Sequence, residues 1–317
     1  MSQITIALPS KVYEDQLPRL LSILSAGDEK DEVSIDISAV QFLTPAAIVS
    51  VLARCHGWRM KGAALKLIGF DCCENLAYLQ RIDFLRHLGI DLPENFTRRP
   101  VADRFMPVRS LNFANGGVDE VASAITRCVL PDTHPADDVY RMLQYAAGEL
   151  LSNAKYHSGG RAFVSAQFFP TRNLVRIAVA DDGQGIRRSF INTSRESEAA
   201  TPDQAIRLAL TPRVSSANLR GPSQAYGGRN HMGVGLSVTR NLAEQAGGQL
   251  TIVTESGWFD ELHGKLRPEP RHPISFPGTL VAISIHRDQI ADYAAMHAEA
   301  MTAIGMGGLD TGGIFGD

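Results

Sequence analysis

Three groups of residues in this chain have types and spacings that could do chemistry. Glu149, Asn153 and His157 recur every four residues, so on a helix they share one stripe. Asparagine is a poor helix former, and a carboxylate and an amide one turn apart can share a hydrated metal ion. Magnesium takes oxygen ligands and keeps several waters, so one amide oxygen plus phosphate oxygens would suffice. The same stripe also fits the solvated face of an amphipathic helix, with Leu143, Ala147, Leu150, Leu151 and Ala154 as its apolar side. Next, Asp181-Asp182-Gly183-Gln184-Gly185-Ile186 follows the apolar run 174–180. An aspartate followed by alternate glycines marks either a tight turn where backbone approaches a ligand or an ordinary turn between strand and loop. Third, Gly233-Val234-Gly235-Leu236-Ser237 opens a helical pattern. Its glycines free backbone amides to face phosphate oxygens, a helix N-terminus favours negative charge, and Ser237 can cap the helix or contact phosphate.

In this order, the three motifs resemble the nucleotide site of the GHKL superfamily, whose ATP-binding domain is called the Bergerat fold. The helical stretch 236–246, ending at Gly247-Gly248 before a strand, is similar to an element of that domain, as is Pro277-Gly278-Thr279 with its apolar continuation to Ile285. The resemblance covers about residues 118–286 and implies ATP and Mg2+ as ligands. By it, Asn153 holds magnesium and Glu149 orients or deprotonates the attacking water or hydroxyl. Asp181 accepts a hydrogen bond from the adenine amino group, and Thr279 assists. Gly183, Gly185 and Ile186, with Gly233, Val234, Gly235, Leu236 and Ser237, are the remaining nucleotide contacts of the motifs. Residues 187–232 correspond to a lid over the phosphates, with Arg213, Arg220, Arg229 and His231 as its candidate phosphate contacts. Tyr156 and then His157 follow Asn153-Ala154-Lys155, which looks more like the anti-sigma-factor serine kinases than the sensor histidine kinases. The phosphate loop Gly-x-x-x-x-Gly-Lys-Ser/Thr is absent, and no helical hairpin with a phosphoacceptor histidine stands before this region.

The elements that must position these motifs follow from periodicity. Strands are expected at 4–8, 33–37 and 65–68, and helices at 14–25, 45–57, 72–80 and 82–88. That alternation predicts an α/β layer over residues 1–90. Residues 91–117 read as a connector, with Pro93, Pro100, Pro107 and Gly116-Gly117. Beyond it, helices are expected near 118–129, 136–156 and 235–246, and strands near 161–169, 173–180, 249–254 and 279–285. The stretch 187–232 reads as long, polar and irregular, with one helical piece near 202–210. Residues 287–303 read as a helix before a glycine-rich end. The fold class is therefore α/β: an N-terminal α/β domain, then an α/β-sandwich Bergerat-fold ATPase domain.

The segment Ile35-Asp-Ile-Ser-Ala-Val-Gln-Phe-Leu-Thr-Pro-Ala-Ala47 resembles the core of STAS domains. There a strand ending in Asp-Leu-Ser precedes an apolar stretch and then Asp-Ser-Ser-Gly at a helix start. Asp36, Ser38, Val40 and Phe42 match. Thr44-Pro45-Ala46-Ala47 stands where Asp-Ser-Ser-Gly would be, so Thr44 is the only nearby hydroxyl for phosphorylation. STAS domains are partners of the anti-sigma-factor kinases, which adds weight to a partner-switch ancestry.

Composition sets the remaining bounds. At 317 residues the chain is long enough for two domains. A net charge of −3 gives no general attraction to nucleic acid or an anionic membrane. No apolar run approaches the roughly 20 residues of a membrane helix, and the N-terminus lacks a signal-peptide pattern. Cys55, Cys72, Cys73 and Cys128 have no zinc-ligand spacing and read as reduced thiols of a cytoplasmic protein. The expected partners are ATP and a further protein, with a homodimer open to it because family members often dimerise. The chain is then an ATP-using enzyme acting on water or a protein hydroxyl, or a binding module gated by ATP without turnover.

Overall fold

Strand and helix alternate through the first 90 residues. The elements are β1 (Gln3–Ala7), β2 (Lys11–Val12), α1 (Leu17–Ser25), β3 (Glu32–Asp36), β4 (Phe42–Leu43), α2 (Pro45–Met60), β5 (Ala64–Ile68), α3 (Leu76–Arg81) and α4 (Phe84–His87). The computed structural model of the chain describes residues 2–98, 105–111, 117–157, 161–214 and 234–306. β1, β3 and β5 are parallel and adjacent in that order, with Ile6 opposite Ile35 and Ile35 opposite Leu67. Parallel pairing requires crossover connections, and α1 and α2 supply them.

The second unit contains β6 (Phe105–Leu111), α5 (Val118–Val129), α6 (Asp138–His157), β7 (Ala162–Phe169), β8 (Leu174–Asp181), α7 (Gly185–Ser189), α8 (Pro202–Ala209), α9 (Gly235–Gln245), β9 (Gln249–Glu255), β10 (Gly257–Leu262), β11 (Lys265–Leu266), β12 (Phe276–His286) and α10 (Tyr293–Ala303). Among the described residues, its strands form one antiparallel sheet in the order β11-β10-β9-β12-β8-β7-β6. Helices α5, α6, α9 and α10 cover one face, packing on Val175, Ile177, Val179, Ile252 and Ile283.

The opposite face is covered by the N-terminal unit. Phe163, Ala178, Ala180, Val253 and Leu280 belong to the same core as α1, α2 and the three-stranded sheet. α2 is the shared element, with Pro45 through Cys55 and Trp58 all buried. Proline suits the first position of a helix, where no intrahelical amide bond is lost. A helix buried on all sides needs neighbours on all sides. On one side, Arg54 and Trp58 both bond to Asp28 within the N-terminal unit. On the other, α2 packs on β7, β8 and β12, where Ala178, Ala180 and Ala282 are small enough to admit a close helix. Double coverage explains why β8 reads as an apolar run rather than an alternating strand.

Several elements depart from the sequence expectation. The connector contains β6, the sheet's edge, and Val108 N–H donates to Ile82 O at 2.9 Å, joining this strand to the N-terminal unit. β10 was hidden by its charges, because Asp260 and Glu261 are buried inside it. Asp260 accepts from Gln249 Nε2 and Thr251 Oγ1 at 2.6 and 2.9 Å, and Glu261 pairs with Arg240. The first part of the segment 187–232 is folded around its own small core of Phe190, Ala199, Ala205, Leu208 and Val214. Thr201 and Gln204 form a capping box at the start of α8. The rest of the segment expected to form a lid, residues 215–232, and the glycine-rich end from residue 307 lie outside the described residues. No described helix is long and apolar enough to cross a membrane.

Because α2 belongs to both halves of the molecule, thermal and denaturant unfolding are expected to be one transition. Leu52→Ala, at a site 1% exposed, should cost about 2–5 kcal/mol, whereas Met60→Ala, at a site 73% exposed, should stay within about 0.5 kcal/mol. Urea denaturation of the two variants checks both.

Candidate functional site

α6 begins with Asp138, which favours the positive end of the helix dipole. Its apolar row, Leu143, Ala147, Leu150, Leu151 and Ala154, is buried as expected. Glu149 and Asn153 emerge half-buried from the adjoining face. The Asn153 amide nitrogen is buried with no hydrogen-bond partner among the described residues. Leaving such a group unsatisfied costs about 1–3 kcal/mol, which a water or a polar ligand at this place would recover. Rotation of the amide offers its oxygen in the same place. His157 ends the helix, and its side chain lies outside the described residues.

The Glu149 carboxylate meets the third motif directly. A Cβ on residue 235 would come within 1.6 Å of Glu149 Oε2, so Gly235 is needed for close approach rather than for an unusual φ. Gly235 is the first residue of α9, and Val234, which makes no side-chain capping bond, occupies the capping position. The Ser237 hydroxyl donates to Val234 O at 2.8 Å and so does not cap the terminus. Val234 is buried, and Leu236 packs at the edge of the helical core. Gly233 lies outside the described residues. Tyr145, one turn before Glu149, hydrogen-bonds to it, and burial, with the Glu149 charge second, holds that phenol well above its usual range. Tyr145 therefore stays a donor. Its ring and that of Tyr293 flank His297, at 5.5 and 5.6 Å between centroids, so α10 backs Glu149 with an aromatic cluster. Nothing local in the sequence marks this, apart from the one-turn spacing of Tyr293 and His297.

Asp181 ends β8 and is 3% exposed. Its Oδ1 accepts from Gly183 N–H at 2.8 Å and from Thr279 N–H at 3.3 Å, which leaves Oδ2 for another donor. Burial pushes its carboxyl up to about 7, against the opposing pull of those two amides, and the charge of Asp182 adds to the rise. Thr279 thus reaches Asp181 through its backbone. A Cβ at Gly278 would meet the Asp181 carbonyl oxygen at 1.9 Å, and Gly185 adopts φ +76° against Thr254. Thr254, fully buried, accepts from Ile186 N–H at 3.1 Å and donates to Gly278 O at 2.9 Å. It ties both sides of the loop together, yet it lies inside a strand with no motif to mark it.

Of the cations expected in a lid, Arg213 hydrogen-bonds to Gly305 O at 3.3 Å, beyond the end of α10. Arg220, Arg229 and His231 lie outside the described residues. No group of three or more His, Cys, Asp or Glu among the described residues could hold a metal ion.

Residues 138–287 match the family model of the histidine kinase-, DNA gyrase B- and HSP90-like ATPases. The match supports the GHKL superfamily for this segment and an ATP-binding, ATPase or kinase-like function. Searches of the curated proteins and of the solved structures found no match.

The raised Asp181 value sets a sign for stability. The folded protein holds this proton more tightly than the unfolded chain, so the stabilising contribution is full below about pH 4 and is lost as pH rises through about 7. Asp181→Asn, measured without nucleotide, should therefore gain on the parent in melting temperature from pH 4 to pH 8. The gain corresponds to at most ~4 kcal/mol, and calorimetry across that range reads it.

Proposed function

We propose that residues 118–286 bind magnesium-ATP and use it for hydrolysis or for phosphorylation of a protein hydroxyl. The observation that carries this reading is the convergence at the start of α9. There, the Glu149 carboxylate fills the space over Gly235 at the N-terminus of α9, where the capping residue Val234 makes no side-chain bond, and Asn153 lies one turn along with its unpartnered amide nitrogen. The helix start supplies partial positive charge for phosphate oxygens. Asn153 would hold the magnesium ion, which neutralises phosphate charge when bound. Glu149, kept in place by Tyr145, accepts the proton of the attacking water or hydroxyl. Asp181 Oδ2 receives the adenine amino group. Gly183, Gly185 and Ile186 shape that loop, and Thr279 N–H holds the carboxylate.

In the N-terminal unit a STAS-like character is supported by local geometry. β3 ends at Asp36, Ser38 N–H donates to Asp36 Oδ1 at 2.8 Å, and α2 starts directly after Thr44. Thr44 itself is fully buried, so a phosphoacceptor role there would require α2 to leave its seat. This weighs for a phosphoacceptor on another protein. An alternative without turnover, in which ATP occupancy gates a partner surface, draws on the packing of the N-terminal unit against the nucleotide-bearing sheet.

Incubation of the purified protein with magnesium and γ-labelled ATP tests the reading, with free phosphate and protein-bound label measured in one sample. Released phosphate establishes an ATPase and label on protein a kinase. Tight binding with neither favours the gated module, and no binding overturns the nucleotide site. Glu149→Gln should keep ATP binding and lower turnover by roughly 10²–10⁴-fold. Asn153→Ala should lose magnesium-dependent binding, read by titration with and without chelator.

A further inference from the structure

The nucleotide loop is held from behind by a residue of the N-terminal unit. Asp182, the residue after Asp181, has a side chain only 8% exposed. Its Oδ1 accepts from Arg161 N–H at 2.9 Å, and its own N–H donates to Arg161 O at 3.3 Å. Its Oδ2 is bonded to Nδ1 of His56, which stands near the end of α2. A carboxylate only accepts, so the imidazole carries the hydrogen on Nδ1. The ring is steered by Phe163 of β7, whose centroid lies 6.0 Å away at 64°. Gly57 follows, and a Cβ there would sit 3.7 Å from Asp182 Cβ, so the helix backbone itself lies close to the loop. The other contacts of α2 with this sheet named above are apolar and non-directional. This one is a buried hydrogen bond, which fixes position as well as proximity.

We infer that His56 is a positioning residue for the adenine site. By holding Asp182 it sets the placement of Asp181, so adenine binding and the seating of the N-terminal unit favour one another. The inference rests on the nucleotide reading above. Coupling is reciprocal: what the seated α2 contributes to ATP affinity, bound ATP returns to the seating of α2. Removing a buried partner of a carboxylate also leaves that charge uncompensated, which favours loop positions that reach other donors or water.

The test is magnesium-ATP affinity, by calorimetric titration of the full chain well below its melting temperature. His56→Ala should weaken binding roughly tenfold. His56→Asn carries an amide nitrogen near the position of Nδ1 and should return to within about threefold of the parent. On an Asp182→Ala background, His56→Ala should add nothing. Parent-like affinity in a folded His56→Ala protein overturns the inference while leaving the nucleotide site standing. Equal weakening by His56→Ala and His56→Asn overturns it too, because ring packing rather than the bond to Asp182 would then matter. If His56→Ala does not fold, His56→Phe keeps the ring and deletes the donor, and parent-like affinity in that variant overturns the inference. Failure of the parent protein to bind ATP overturns the nucleotide reading itself.

Discussion

A sheet with two apolar faces must be covered on both, and that constraint organises this molecule. The antiparallel sheet presents Val175, Ile177 and Val179 of β8 to the helices on one side and Ala178 and Ala180 to α2 on the other. Both coverings come from the same chain. α6, α9 and α10 lie over the first face, and an entire α/β unit closes the second through α2. The hydrophobic drive to bury both faces makes the N-terminal unit part of the second unit's core rather than a tethered neighbour. It also leaves the ends of the strands, rather than their faces, as the place where loops can meet a ligand.

At those ends the backbone follows the demands of a site rather than of regular structure. Gly235 and Gly278 stand where any side chain would strike Glu149 or the Asp181 carbonyl, and Gly185 takes a left-handed turn against Thr254. α9 starts at a valine that cannot cap it with its side chain, and Asp181 sits in an environment that raises its carboxyl to about 7. Each of these carries a cost to stability, and all lie within the match to the ATPase family. Such costs concentrated in one region are what a binding site requires and a structural scaffold does not.

Much of this was legible in the sequence because the signals were local. Glu149 and Asn153 follow from one-turn spacing on a helix whose apolar row is plain, and Asp181–Gly185 from a strand followed by alternate glycines. The unreadable parts depend on distant partners. β10 contains Asp260 and Glu261, which look like surface charges until Gln249, Thr251 and Arg240 come alongside. β6 hid in a proline-bearing stretch, because an edge strand needs only a partner on one side and tolerates Pro107. Thr254, His56 and Tyr145 take their roles from contacts with other segments, and no spacing rule finds them. The segment 187–232 looked irregular because its small core, from Phe190 to Val214, uses apolar residues spread through a polar sequence.

The way α2 is buried also restricts how the N-terminal unit could act on the second unit. Swinging it away would return Phe163, Ala180, Val253 and Leu280 to water along with one side of α2. Each large apolar side chain re-exposed costs about 1.5–3 kcal/mol, and several are involved. A single binding event shifts an equilibrium only by its differential affinity for the two states, commonly 1–3 kcal/mol for coupled sites. A signal received by the N-terminal unit is therefore better matched to a small displacement of a seated helix than to its release. The end of α2 is where such a displacement would be felt. His56 and Gly57 meet Asp182 there, and the next residue inward is the buried carboxyl group of Asp181, held by Thr279 N–H. A rigid helix packed on both sides carries a shift along its length without absorbing it, and a hydrogen bond at its end converts that shift into the position of one residue.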